Sequence, residues 1–292
     1  MKIDNHNYSL STIHYSLTTK VNTAGFEKKM DFVAIEEPLE IRLGFGELEN
    51  RQQKSIAITM RTPGNDFELA IGFLFSENII QDFSDVLSIR YCTDLGKNTK
   101  TENVVRVELK PEIEANLKHL ERNFYISSSC GVCGKASIEA LQMNGITEIF
   151  DSNFTINATV LYQLPAKLRV AQRVFELTGG IHGAALFDIE GNLQMLREDV
   201  GRHNALDKLI GANLISANIQ TLDRSLLLLS GRISFELVQK AAKAKIPIIV
   251  AIGSPSSLAI ELAESFGITL IGFLKSTSFN IYSGEERIFL ES

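Results

Sequence analysis

From about Asn157 to the C-terminus the chain repeats one pattern: a short unbroken apolar run, a glycine- or serine-rich exit, then an amphipathic stretch. The apolar runs cover residues 183–187, 225–229, 247–252 and 269–273, and a turn at residues 190–192 leads from the first into a further strand at 193–196. A run with no polar alternation suits a strand buried in the interior of a sheet. Helical stretches are expected over 161–177, 234–244 and 256–266, and in the second of these Phe235, Val238 and Ala242 follow i, i+3, i+7 spacing. Another helix follows Leu196 and is expected to end at Gly211, a suitable C′ residue. Alternation of this kind predicts a sheet covered by helices.

The first half reads differently. Residues 1–30 are polar, an extended arm or a first edge strand. From Asp31 to about Lys110 short alternating runs (Val33, Ile35 and Leu39; Ile41 and Leu43; Ile56, Ile58 and Met60; Val105, Val107 and Leu109) predict a small sheet. One helix interrupts it. The turn at residues 62–66 offers Asn65 or Asp66 as a cap, Leu69, Phe73 and Leu74 share a face, and Gly72 lets another segment approach closely. Residues 112–122 suit a connector or surface helix, and 137–143 a short helix. The expected organisation is a polar arm (1–30), a strand-rich N-terminal domain (31–125) and an α/β domain (126–292).

Composition removes several classes. Among 292 residues, 20 Gly and 6 Pro are too few for a collagen-like or disordered chain, and 45% hydrophobic residues suffice for a sizeable core. Three cysteines, an odd number, do not make a disulfide-stapled module. A net charge of -6 offers no broad surface for nucleic acid, so a polyanionic ligand would need locally gathered Arg and Lys. The polar opening Met1 to His6 has no signal-peptide core, and no apolar run approaches a membrane span. These features predict a soluble protein of the reducing cytoplasm, without nucleic-acid or membrane partners.

Four features carry possible chemistry. The first is Cys130-Gly131-Val132-Cys133, between Ser129 and Gly134. Its glycines let the backbone bend and expose amides that, with Lys135, stabilise a thiolate, the form that attacks a disulfide or persulfide sulfur. A Cys-x-x-Cys can exchange disulfides, hold half a zinc site or carry sulfur. No second ligand pair has finger-like spacing, the Pro-Cys-x-x-Cys of zinc deaminases is missing, and the mid-chain position does not suit a thioredoxin. No metal site is assigned. Cys92 lies outside the motifs and suits packing.

The second feature is Thr178-Gly179-Gly180-Ile181-His182-Gly183, where a ligand could approach backbone just before a buried strand. The third is the segment from Arg197 to Lys208. Asp199 can cap a helix, Asp199, His203 and Asp207 at i+4 spacing could share one side of it, and Arg202 near its start suits a phosphate. Carboxylates beside His203 would favour its charged form. A tight turn and a salt-bridged helix face are the plain structural alternatives. The fourth is a set of strand exits: Ser230-Gly231-Arg232, residues 253–257, and Leu274-Lys275-Ser276-Thr277-Ser278. If their strands are parallel neighbours, all three loops share the carboxyl edge of the sheet, where α/β folds bind phosphates. Ordinary capped helices would explain each loop alone.

Taken in order, Ser-Ser-Cys-Gly-Val-Cys-Gly-Lys, Thr-Gly-Gly-Ile-His, Glu-Asp-Val-Gly-Arg-His-Asn-Ala-Leu-Asp-Lys and Ser-Gly-Arg-Ile-Ser-Phe-Glu-Leu-Val-Gln-Lys-Ala-Ala closely resemble the FdhD family, the sulfur carriers required for formate dehydrogenase. The resemblance runs from about Glu36 to the end. It implies a cytidine-deaminase-like mixed sheet with flanking helices, a homodimer, and a sulfurtransferase function. Sulfur from a cysteine desulfurase would be held as a Cys130 persulfide, with Cys133 assisting or resolving. It would pass to the molybdenum (or tungsten) bis(molybdopterin guanine dinucleotide) cofactor before insertion into formate dehydrogenase. The family's cofactor segment falls on Phe273, Leu274, Lys275, Ser276, Thr277 and Ser278, a site that a guanine nucleotide such as GDP can also occupy. Arg202, Arg232 and Lys275 suit the polyanionic cofactor, and His182 and His203 could donate hydrogen bonds or move protons. Two departures stand out: Asn78 where relatives carry Gly after Glu77, and Ser278 where they carry a basic residue, for which Lys275 can compensate. The competing functions are a cofactor chaperone that moves no sulfur and a zinc enzyme built on Cys130, Cys133 and a histidine.

Overall fold

The computed structural model describes residues 12–92, 101–114, 155–216 and 219–290. Its first element is a two-stranded antiparallel ribbon of β1 (Ile13–Asn22) and β2 (Gly25–Ala34). Gly25, at φ 130, turns the chain back on itself. The ribbon spans residue 30, so the expected arm and the start of the expected strand-rich domain share it. The transition expected at residues 125–126, the segment 115–122 and the helix expected over 137–143 lie outside the described residues.

A four-stranded sheet follows in the order β4-β3-β6-β5, built from β3 (Glu37–Phe45), β4 (Gln52–Arg61), β5 (Val86–Tyr91) and β6 (Val104–Leu109). Strand alternation places Leu39, Ile41 and Leu43 on one face with Val105 and Val107, all fully or almost fully buried. Helix α1 (Asp66–Ser76) sits between β4 and β5 in sequence. Neither expected cap residue caps it with a side chain. Asn65 takes a left-handed φ of 57 and contributes only its carbonyl, to Leu69 N at 2.9 Å. Asp66 is clamped instead by Arg61, whose Nε and Nη2 donate at 3.0 and 2.8 Å. Just past α1, Asn78 adopts φ 60, a left-handed conformation that Asn tolerates better than most residues.

The second half is a six-stranded sheet of order β13-β12-β11-β10-β8-β9. Its strands are β8 (His182–Phe187), β9 (Leu193–Asp199), β10 (Leu226–Leu229), β11 (Ile248–Ala251), β12 (Thr269–Gly272) and β13 (Asn280–Ser283). β10, β11 and β12 are parallel, while β8, β9 and β13 run antiparallel to their neighbours. A short parallel pair, β7 (Ile156–Asn157) with β14 (Ile288–Phe289), ties the end of the chain to the start of helix α2 (Ala158–Ala171).

The unbroken apolar runs are explained by burial on both faces. Leu227, Leu229, Ile249 and Ala251 join the larger core, with α4 (Arg202–Ile215), α5 (Phe235–Lys243), α6 (Ser257–Ser265), α1 and the first sheet. Leu226, Leu228, Ile248, Val250 and Ile271 point the other way, into a second core completed by α2. Each fully buried aliphatic chain here contributes roughly 1.5–3 kcal/mol. The fold is therefore a mixed α+β architecture, with the small sheet and the large one sharing a core.

Helices α1 and α4 meet through glycine. A Cβ on Gly72 would overlap the carbonyl oxygen of Asp207, and one on Gly211 that of Glu68. The close approach expected at Gly72 is present. Gly211 does not end its helix, which runs on to Ile215; the residue is needed for helix contact, not for a cap. The helical stretch expected over 161–177 divides at Gln172 into α2 and α3 (Arg173–Thr178), and Gly179 terminates α3 at φ 64. No helix among the described residues is long and apolar enough to cross a membrane.

Candidate functional site

Strand direction gathers the singled-out residues at one edge. The parallel strands β10, β11 and β12 deliver Ser230-Gly231-Arg232, Gly253-Ser254 and Phe273 to Ser278 to the same end of the sheet. β8 runs against β10, so its first residue, His182, arrives there too. β9 runs against β8 and places Asp199 opposite His182, which brings Gly201, Arg202 and His203 to the same edge.

Backbone hydrogen bonds lace the loops together. Gly183 N donates to Ser230 Oγ at 2.9 Å, and Ser230 N donates back to Gly183 O at 3.0 Å. Gly253 N reaches Gly231 O at 3.2 Å, and Phe273 N reaches Gly253 O at 3.0 Å. These bonds hold Phe273 at φ 54, a conformation that bulky residues rarely adopt, with the residue 44% exposed. Leu274 turns inward and is buried, while Lys275, Ser276, Thr277 and Ser278 stay exposed. Lys275 N donates to Ser278 O at 2.8 Å, so Lys275 and Ser278 bracket one turn.

His182, Gly231 and Arg202 pack together. A Cβ on Gly231 would stand 3.1 Å from His182 Nδ1 and 4.0 Å from Arg202 Cδ. Burial, and then the positive charge of Arg202, hold the His182 pKa below its usual value, with Asp199 pulling the other way. Arg202 Nε is buried without a hydrogen-bond partner among the described residues, an orphaned donor at the sheet edge. His203 Nε2 lies 3.1 Å from Ser234 Oγ and 3.8 Å from Glu236 Oε2. The contact with His203 is the largest cause that lowers the Glu236 carboxyl to about 2. Arg232 is exposed beside this group.

The carboxylates of the same segment have another fate. Asp199 belongs to β9, not to the helix, and Gly201 is the residue before α4. Asp199 is fully buried, 2.7 Å from Lys208 Nζ, and accepts from Thr62 N and Gly201 N at 3.2 and 2.8 Å. Asp207 accepts both from Lys240 Nζ, at 2.7 and 2.8 Å, and from Ser76 Oγ at 2.9 Å. The expected shared face of Asp199, His203 and Asp207 does not form. The carboxylate beside His203 is Glu236, which the spacing did not suggest.

A cleft of about 520 Å³ opens next to the edge. His182, Gly179, Gly180, Ser230 and Ile252 form one wall, and Arg169, Gln172 and Phe175 another. The Arg169 guanidinium lies 4.4 Å from the Phe175 ring centroid. A Cβ on Gly179 would meet no atom within 4 Å, and one on Gly180 only the Thr178 carbonyl oxygen at 3.8 Å, an ordinary contact. The α2–α3 wall was missed in the sequence. Its signal was the spacing of Pro165, Leu168, Arg169 and Gln172, which share one side of the helical stretch that leads to Phe175.

Cys130 and Cys133 lie outside the described residues. Cys92 is buried and hydrogen-bonds through its backbone to Val104, as packing requires. Among the described residues no three His, Cys, Asp or Glu side chains stand close enough to hold a metal ion.

Comparison with known proteins places this edge in context. The model of the FdhD/NarQ family matches residues 34–289. The chain belongs to the FdhD/NarQ family. A relative named sulfur carrier protein FdhD, from Streptomyces coelicolor, is 46% identical over 275 residues, 94% of each chain. Another of that name, from Sulfurisphaera tokodaii, is 45% identical over 258 residues, 88% of this chain and 92% of the relative. A crystal structure from Desulfotalea psychrophila, described provisionally as a formate dehydrogenase accessory protein, covers 95% of this chain and all of its own with a TM-score of 0.71. At 23% identity that likeness concerns the fold alone. The matched span takes in every edge residue described above and both cysteines of the Cys-x-x-Cys.

Proposed function

We propose that this protein is a sulfur carrier that serves formate dehydrogenase. A cysteine desulfurase presents a persulfide, and the Cys130 thiolate attacks its outer sulfur. One S–S bond forms on Cys130, and the desulfurase cysteine leaves as a thiolate. The acceptor is the molybdenum bis(molybdopterin guanine dinucleotide) cofactor, bound as substrate before it enters formate dehydrogenase. Cys133 acts as the resolving thiol. Its attack on the Cys130 sulfur releases sulfide towards the acceptor and leaves a Cys130–Cys133 disulfide, which cellular thiols reduce. The chemistry suits a reducing cytoplasm and, in a family of this kind, a homodimer.

One observation carries the reading of the acceptor site: Arg202, Arg232, Lys275, His182 and His203 converge on one sheet edge. Clustered cations in an otherwise acidic chain fit a ligand with four phosphates, and the orphaned Arg202 Nε is a donor ready for an anionic oxygen. The exposed turn from Phe273 to Ser278 offers backbone and an aromatic face to a guanine base. With its pKa lowered, His182 is mostly neutral at neutral pH and acts as a hydrogen-bonding group. Sulfur transfer is supported by the cysteine motif and by the relatives' names.

The deciding experiment is intact-protein mass spectrometry after incubation with a cysteine desulfurase and cysteine. The wild type should gain the mass of one sulfur, and Cys130→Ala should not. A wild type that gains none beside an active desulfurase would support a cofactor chaperone that moves no sulfur, and GDP binding would then be measured in the absence of both cysteines.

A further inference from the structure

Glu198, next to Asp199 at the end of β9, is a buried carboxylate with a duty of its own. It is 7% exposed and stands opposite Gly183 in the β8–β9 register. Its two oxygens accept from the first turn of α3: Oε2 from Val174 N at 3.2 Å and Oε1 from Phe175 N at 3.0 Å. The Gln172 side chain lies over Gly183, where a Cβ would stand 2.6 Å from its Nε2, and it also favours the charged form of Glu198.

Helix α3 needs this hold. Six residues are too few for a helix to persist unaided in water, and Val174 is its one buried side chain. A negative charge at the helix start satisfies free amides and complements the dipole. What α3 carries is the cleft. Phe175 forms part of one wall, and Gly179, Gly180 and Ile181 lead from the end of α3 directly into His182 on the other.

The groups that answer the carboxylate are amides. Burial is the largest influence and raises the Glu198 pKa, while Phe175 N, Val174 N and Gln172 pull it back only in part. Glu198 therefore takes up its proton at a pH where exposed carboxylates are still charged. The charged side chains of the surrounding elements are placed elsewhere. Arg173 and Glu176 of α3 and Arg169 of α2 are exposed, Arg197 reaches Glu68, Asp199 pairs with Lys208 of α4, and His182 of β8 lies beside Arg202.

We propose that Glu198 is a positioning residue for the candidate site: its ionised carboxylate holds α3 against the sheet, so that Phe175 and the turn into His182 are set for the ligand. Protonation gives up one of the two acceptors, because the added O–H is a donor facing a backbone N–H, and α3 loosens. The inference rests on the acceptor site of the proposed function.

Calorimetric titration of the full chain with GDP, from about pH 5 to about pH 8, tests it against Glu198→Gln, which mimics the protonated carboxyl at every pH. Near pH 8 the variant should bind on the order of tenfold more weakly, the range of one lost charge-assisted hydrogen bond. On acidification the two affinities should converge as the wild-type carboxyl protonates; His182 titrates in both proteins and cancels from the ratio. Glu176→Gln, at an exposed position of the same helix, should follow the wild type. A ratio that stays constant with pH would assign Glu198 a merely structural role, and equal affinities throughout would remove it from the site; either overturns the proposal. A second readout needs no ligand. Protection of the Val174 and Phe175 amides, corrected for intrinsic exchange, should be lower in Glu198→Gln and should fall in the wild type on acidification. Unchanged protection would likewise overturn the proposal. A wild type that binds no GDP would overturn the acceptor reading, and the two amides would still decide whether Glu198 holds α3.

Discussion

The segment from Arg197 to Lys208 is one dense run of charged and polar residues, yet its members do two different jobs. Asp199, Asp207 and Lys208 are sealed inside the protein, tied to Lys240, Ser76 and the backbone of Thr62. Arg202 and His203 are half-buried at the sheet edge, and Arg202 keeps a donor free. Residues of similar chemistry, a few positions apart, thus divide into a sealed set that joins the two sheets and an open set available to a ligand. The difference is made by strand and helix boundaries. β9 ends with Asp199 pointing inward, and α4 begins with Arg202 at the mouth.

Breaking the sealed set should have the largest effect. In Asp199→Ala, Lys208 loses its carboxylate and, among the described residues, retains only the Thr62 carbonyl at 2.8 Å while 1% exposed. An uncompensated buried charge costs about 3–5 kcal/mol, which for a chain of this size lowers the thermal midpoint by on the order of 10 °C. Arg202→Ala should stay within about 1 kcal/mol of the wild type. Thermal or urea unfolding of the two variants side by side checks the comparison, and equal losses would erase it.

How much of this was readable beforehand differs from element to element. Residues 225–229, 247–252 and 269–273 announced buried strands because both faces of the large sheet are covered, which removes polar alternation. Parallel direction then follows from the helices between them, and with it the shared edge of the three loops. The division at Arg197 to Lys208 was not legible. Spacing of four suggested a helix side, but the helix starts only at Arg202, and nothing local says that Lys240, far along the chain, will neutralise Asp207. Gly211 misled for a similar reason: a glycine that ends a helix and one that admits another helix look alike until Glu68 is known to lie opposite. The cleft wall of Arg169, Gln172 and Phe175 was hidden by the break at Gln172, where two helices replace one.

The open set should respond in the opposite sense to the sealed one. Arg202→Ala should weaken GDP binding by roughly tenfold to a hundredfold, the range of a charge-assisted hydrogen bond, with the unfolding transition nearly unmoved. Lys275→Ala, at an exposed turn, should cost only about threefold, since solvent and salt screen the contact. Isothermal titration calorimetry at two salt concentrations checks both. Undiminished affinity in Arg202→Ala would remove the arginine from the acceptor site and leave its buried Nε without a purpose.

The smallest effect reports the electrostatics of the mouth itself. His182 should titrate below its ordinary value of about 6.5, because burial and the Arg202 charge both oppose its protonation. The folded state therefore binds fewer protons than the unfolded one just below that pH. The sign follows: this histidine takes stability away as pH falls through the unfolded value, until the folded imidazole also protonates. Arg202→Gln should raise the His182 pKa part of the way back, leaving the contribution of burial. Imidazole NMR shifts followed from pH 4 to 8 would show it. A His182 that titrates at or above the ordinary value in the wild type, or ignores the loss of Arg202, would mean that the two side chains do not share one field at the sheet edge.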